Sequence, residues 1–60
     1  MMASIRSGQV YYHTNADKSL LIKKVGLTWV DVSWPNRSES IKKRVLVKAI
    51  EKGVLVRRDA

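Results

Sequence analysis

The sequence predicts a small β-rich α+β domain, an antiparallel meander of strands carrying one helix, and three observations lead there. From Thr28 to Trp34 apolar and polar side chains alternate with the period of two that a half-buried strand requires. From Ser38 to Lys52 the apolar period lengthens to that of a helix, and Gly53 follows as a stop. Residues with turn chemistry (Thr14 to Lys18, Gly26, Pro35 with Asn36) separate these segments.

Taken in order, residues 1–7 are small and polar around one Ile and one Arg and predict a flexible arm, from which Arg6 could touch a phosphate. Residues 8–13, GQVYYH, predict the first strand, with Val10 and Tyr12 on one face and Tyr11 and His13 on the other. The turn TNADK folds it back onto a second strand at 19–25. Gly26 offers the positive φ of a tight hairpin turn, built on Val25 and Gly26 or on Gly26 and Leu27, and a third strand occupies 28–34. Both registers sort the side chains identically. Leu21, Val25, Val30, Val32 and Trp34 form the core face, with Lys23 as its anomaly, and Leu20, Ile22, Lys24, Trp29, Asp31 and Ser33 form the other.

Pro35 ends the third strand, and Asn36 with Glu39 three residues on has the form of a capping box for a helix over about 38–52. Its stripe would be Ile41, Val45, Leu46, Ala49 and Ile50, with Val47 off it. Residues 54–58 predict the last strand, Val54 and Val56 on one face and Leu55 and Arg57 on the other.

Two other arrangements satisfy the same residues. Ile41, Val45 and Val47 share strand parity, so 39–47 also reads as a strand followed by one turn at 48–52. The chain over 8–58 then resembles an SH3-like barrel, a fold that hosts many functions. Alternatively Thr14 and Asp17 open a helix within 15–25 that stops at Gly26. That βαβαβ order is similar to the opening of a glutaredoxin-like fold, without its CxxC.

Sixty residues make a single domain over 1–60, and a chain of that size buries only about 60% of its unfolded surface. With no cysteine it has neither disulfides nor thiolate metal sites, which raises the expectation of a homo-oligomer or of docking on a larger partner. No apolar run approaches the roughly 18 residues of a membrane span, and the N-terminus lacks a signal-peptide core, so a cytoplasmic protein with no membrane partner is expected. Twelve Lys and Arg against five Asp and Glu give a net charge of +7 and an isoelectric point near 10.3. Such a chain is drawn to nucleic acid, DNA or RNA, or to an acidic protein surface.

Catalytic chemistry finds no support. His13 is the sole histidine, nothing selects one of six serines to join it and Asp17, and the five carboxylates are scattered over separate segments. The glycines lack phosphate-loop spacing, and Asn36-Arg37-Ser38 is a chance sequon. No catalytic residue, metal ligand or cofactor is expected, and the chain is not expected to be an enzyme.

The basic residues carry more information. In a helix over 38–52, Arg44, Lys48 and Lys52 form one like-charged ridge with Lys43 beside it, which a polyanion would relieve. Lys23, Lys24, Arg57 and Arg58 form a second group, and Tyr11 and Trp29 offer rings on which bases could stack. The expectation is a small basic protein that binds nucleic acid through phosphates, largely without regard to sequence, using Lys23, Lys24, Trp29, Arg44, Lys48, Arg57 and Arg58. The rival is a protein-directed adaptor or inhibitor, such as a viral regulator or a subunit of a large assembly, whose basic face meets an acidic partner and whose Trp29 anchors the contact.

Overall fold

A computed structural model describes residues 5–59. The elements are β1 (Val10–His13), β2 (Lys18–Val25), β3 (Trp29–Trp34), β4 (Arg37–Lys42), α1 (Lys43–Glu51) and β5 (Leu55–Arg57). All strand pairs are antiparallel, and the sheet order is β4-β3-β2-β1-β5. The fold is thus a small β-rich α+β structure, as the alternation and the single helical period predict.

Each turn has a local cause. Between β1 and β2, Asp17 takes a positive φ of 53° and its N–H donates to the His13 carbonyl at 2.9 Å; Asp and Asn tolerate this region better than most residues. Between β3 and β4, Pro35 and Asn36 form the tip beyond the paired Trp34 and Arg37. Proline presets the turn and removes an N–H that would otherwise need a partner. After β4 the chain enters α1, which packs on both β4 and β5 and so carries it from one edge of the sheet to the other.

The core consists of Ile5, Tyr11, Leu20, Ile22, Val30, Val32, Leu46 and Leu55, with Val25, Trp34, Ile41, Val47, Ala49 and Ile50 packed against it. Of the arm expected over 1–7, residues 1–4 lie outside the described residues, while Ile5 is in the core and Arg6 N–H donates to Gln9 Oε1 at 3.0 Å.

The largest departure from expectation lies within β2. Ile22 pairs with Val32, but Lys24, not Lys23, pairs with Asp31, so Lys23 is an extra residue in the ladder, a β-bulge. The insertion reverses the parity of everything before it. Leu20 and Ile22 enter the core beside Val30 and Val32, whereas Leu21, predicted inside, is 41% exposed. The expected sorting therefore holds at Val25, Val30, Val32 and Trp34 and fails at Leu20, Leu21 and Ile22, because a one-residue slip exchanges faces. The anomaly of a lysine on the core face disappears with it.

The hairpin turn also differs. Gly26 N–H donates to the Trp29 carbonyl at 2.9 Å, which places Leu27 and Thr28 at the tip, and Gly26 has no positive φ. Glycine suits the position through space, since a Cβ there would stand 3.0 Å from the Trp29 carbonyl oxygen and the turn would have to give by a few tenths of an ångström.

The helix begins at Lys43, later than the predicted start near 38. Residues 37–42 instead pair along the full length of β3, Val30 with Ile41 and Val32 with Glu39. Asn36 sits in the turn and caps nothing; the helix has Lys42 as N-cap without a side-chain bond, and Lys43 N–H is satisfied by the Thr28 carbonyl at 2.8 Å. The strand considered over 39–47 stops at Lys42, and the helix considered within 15–25 is β2. Val45, expected on the buried stripe, is 53% exposed and Val47 packs inward in its place. The predicted stop holds: Gly53 has φ 79°, its N–H reaches the Ile50 carbonyl at 3.1 Å, and Val54 N–H reaches that of Ala49 at 2.9 Å, a Schellman end.

Candidate functional site

The sheet's outer face, opposite the core, collects residues from all five strands in cross-strand rows. Trp29 lies opposite Lys42; Asp31 lies between Ser40 and Lys24; Ser33 lies between Ser38 and Leu21, which in turn faces Val10; Tyr12 lies between Ser19 and Val56. The bulge adds Lys23 to this face, where it borders a shallow cleft with Asp31, Ser38 and Ser40. Lys23 and Lys24 are thus consecutive in sequence yet both outward, which regular alternation would forbid.

Trp29 is 51% exposed. The cation on its ring is Lys42, with Nζ 5.8 Å from the centroid; Lys24 faces Asp31 across the ladder. Asp31 accepts a hydrogen bond from Ser40 Oγ at 2.6 Å. Beyond Trp29, Leu27, Thr28, Lys42, Lys43 and Arg44 surround an open cleft of about 300 Å³. Lys43 Nζ reaches the Gly26 carbonyl at 3.4 Å, tying the helix start to the hairpin. Arg44 therefore joins the Trp29 end of the face through this cleft.

At the opposite corner Arg58 lies 4.7 Å from the centroid of the Tyr12 ring. The Tyr12 hydroxyl donates to Asp17, and that bond raises its pKa. Tyr11, expected as a stacking ring, is buried instead: its hydroxyl donates to Gln9 Oε1 at 3.0 Å, and burial raises its pKa. The strand parity is as predicted, but the face that turns outward is that of Tyr12.

Arg57 is occupied. Its Nε and Nη2 donate to the two oxygens of Asp59 at 2.8 and 3.0 Å, a bidentate pair that lowers the Asp59 pKa to about 2 and raises that of Arg57. Asp59 Oδ1 also accepts Val10 N–H at 3.3 Å. The Arg57 charge is thus largely compensated, unlike that of Arg58.

On α1, Arg44 and Lys48 are exposed at a spacing of four, with Lys52 at the C-cap, forming the expected ridge, whose Arg44 end borders the cleft beside Thr28 and Lys42. Lys48 lies in the last turn, where a cation suits the helix dipole, whereas Lys43 and Arg44 open a first turn that has no acid. Among the described residues the ion pairs are Arg37 with Glu39 and Arg57 with Asp59, so Lys23, Lys24, Lys42, Arg44 and Lys48 make none.

Lys42 and Tyr12 join the surface although no sequence signal singles them out. The helical period over 38–52 absorbs Lys42, and its strand parity becomes visible only once β4 has a partner. The catalytic arrangement considered around His13 is not assembled: its Nδ1 accepts Ala16 N–H at 3.0 Å, and Asp17 is bonded to Tyr12. Among the described residues no group of three or more His, Cys, Asp and Glu could hold a metal, and no helix is long and apolar enough to cross a membrane. Compared with protein-family models, curated proteins and solved structures, the chain matches none.

Proposed function

We propose that the chain is a small nucleic-acid-binding module acting in the cytoplasm without catalysis, and that it grips phosphates through its outer sheet face, with little regard to sequence. Trp29 carries this reading: a half-exposed indole with Lys42 on its ring shares one side of the sheet with Lys23 and Lys24. An aromatic plane beside unpaired cations is the arrangement on which single strands stack their bases while the charges follow the backbone. Arg44 and Arg58 extend the positive surface at its two ends; Lys48 adds long-range attraction, and Arg57 contributes least because Asp59 holds it. We also read the topology as SH3-like. The order β4-β3-β2-β1-β5, with the helix between β4 and β5, is what supports this reading.

The test is affinity for a short DNA strand, an RNA of the same sequence and a DNA duplex at two salt concentrations. Contact with about four phosphates implies a log–log salt slope of about −3 on a single strand, hence a loss of about fiftyfold between about 50 and 200 mM salt. Undetectable binding at low salt to all three would eliminate the reading.

A second reading has its own support in the exposed Leu21 and Val56 on the same face. Apolar area beside cations also suits an acidic protein partner, as an adaptor or inhibitor would have. A nuclease-treated pull-down that retains one stoichiometric acidic protein favours it over the first.

A further inference from the structure

A third cleft lies at the other end of β3, away from Trp29 and Lys42. The β1–β2 turn and the β3–β4 turn meet there, and His13, Ala16, Lys18, Trp34, Asn36 and Arg37 enclose about 200 Å³. We propose that this cleft is a binding site for a nucleoside monophosphate group, either a free mononucleotide or the phosphorylated terminal nucleotide of a strand.

The walls argue for a flat ring. His13 and Trp34 form an aromatic corner, their centroids 6.0 Å apart and their planes inclined at 57°. Trp34 is fixed in orientation, because its Nε1–H donates to Glu39 Oε2 at 2.5 Å and the Arg37 guanidinium lies 5.6 Å from its centroid. Glu39 also holds Arg37 at 2.9 Å, so one carboxylate braces both side chains.

The polar groups argue for a phosphate. Both nearby carboxylates are engaged, Glu39 by Trp34 and Arg37 and Asp17 by the Tyr12 hydroxyl. Lys18 is exposed and lies opposite His13 in the ladder, without an ion pair among the described residues. His13 Nδ1 is taken by Ala16 N–H, which makes Nε2 the ring's donor when neutral. Lys18, the remaining Arg37 nitrogens, the Asn36 amide and His13 Nε2 thus supply donors around one opening, a match for the three acceptor oxygens of a phosphomonoester. At about 200 Å³ the cleft is below the roughly 300 Å³ at which drug-sized sites begin, so it holds only part of one nucleotide, and the rest projects into solvent through the open side.

The two tryptophans make the test self-referencing. With the ¹⁵N-labelled chain, titration with adenosine monophosphate should shift the Trp34 indole N–H and the Ala16 amide saturably while the Trp29 indole stays still. Adenosine alone and inorganic phosphate alone should bind at least tenfold more weakly. Lys18→Ala should weaken binding about tenfold, the loss of one charge-assisted hydrogen bond, and Arg37→Ala should do so comparably, whereas Val45→Ala, an exposed helix position away from the cleft lining, should change nothing. A 5′-phosphorylated oligonucleotide that shifts Trp34 more than its 5′-hydroxyl counterpart identifies a strand end as the source; equal shifts identify the free nucleotide. A silent Trp34 at millimolar ligand, an unaffected Lys18→Ala chain, or tighter binding of an acidic peptide would overturn the proposal. Because Trp29 and Trp34 report separately, failure of the outer-face reading leaves this one standing, and the reverse holds too.

Discussion

On the outer sheet face, Lys23, Lys24 and Lys42 come from two strands and stand beside a half-exposed indole from a third; on α1, Arg44, Lys48 and Lys52 come from one segment at a spacing of four. Neither surface has carboxylates enough to neutralise it. The helix ridge is produced by local periodicity alone. The sheet face is produced by the tertiary fold, because a bulge had to turn Lys23 outward and β4 had to pair with β3 before Lys42 could reach Trp29. Charge density by itself does not set a binding surface apart from a solvated one, and the aromatic plane held among cations is the added feature on which the proposed binding rests.

The comparison is broken most severely at the bulge. Ile22→Ala, removing a side chain 2% exposed, should cost about 2–5 kcal/mol in denaturant unfolding, whereas Leu21→Ala should cost less than about 1 kcal/mol. Without the bulge these two effects would be exchanged. On the helix side, Val45→Ala should fall within about 0.5 kcal/mol of the parent despite its place in an apolar pattern.

Next in size is Trp29→Ala. A stacked base is worth about 1–3 kcal/mol, so affinity for a single strand should fall roughly tenfold or more with the salt slope kept. Lys48→Ala should change affinity about twofold at physiological salt. Equal effects of the two substitutions in a fluorescence anisotropy titration would erase the distinction between the surfaces. Lys23→Ala and Lys24→Ala should each weaken binding to every sequence alike and flatten the salt slope by about 0.7, the share of one phosphate on a single strand.

The smallest effect concerns the compensated corner. Asp59 titrates near 2 because Arg57 grips it, below the ordinary 3.8. A depressed carboxylate contributes stability that is fully present above its unfolded value and is lost as the pH falls through about 2. Arg57→Ala should return the Asp59 midpoint toward 3.8 in an NMR titration of its carboxyl group. An unmoved midpoint would show that the pair does not hold Arg57 back from a phosphate.

How much of this was legible beforehand depends on whether a residue's neighbours are local. The alternation of Thr28 to Trp34 and the stop at Gly53 are written in consecutive residues, and both hold. In LLIKKV, by contrast, Leu20, Leu21 and Ile22 are equally apolar, so either parity buries something suitable. The choice is made by which partners Val30 and Val32 present from the next strand. Residues 38–42 alternate weakly enough to suit helix or strand, and the decision came from the free edge of β3, which they cover. Of the candidate residues, Lys23, Lys24 and Trp29 converge on one face, Arg44 and Arg58 border it, Lys48 stands apart, and Arg57 is neutralised by a partner two residues away. That last pairing could have been suspected from RRD at the end of β5, since Asp59 is within easy reach of Arg57.

The claim that the outer face, and not the helix ridge, meets the polyanion is tested most directly by mapping amide and indole shifts of the ¹⁵N-labelled chain as a short single strand is added. The largest changes should fall at Lys23, Lys24, Lys42 and the Trp29 indole, with smaller ones at Arg44 and Arg58. Changes centred on Lys48 and Lys52 with a silent Trp29 indole would contradict it.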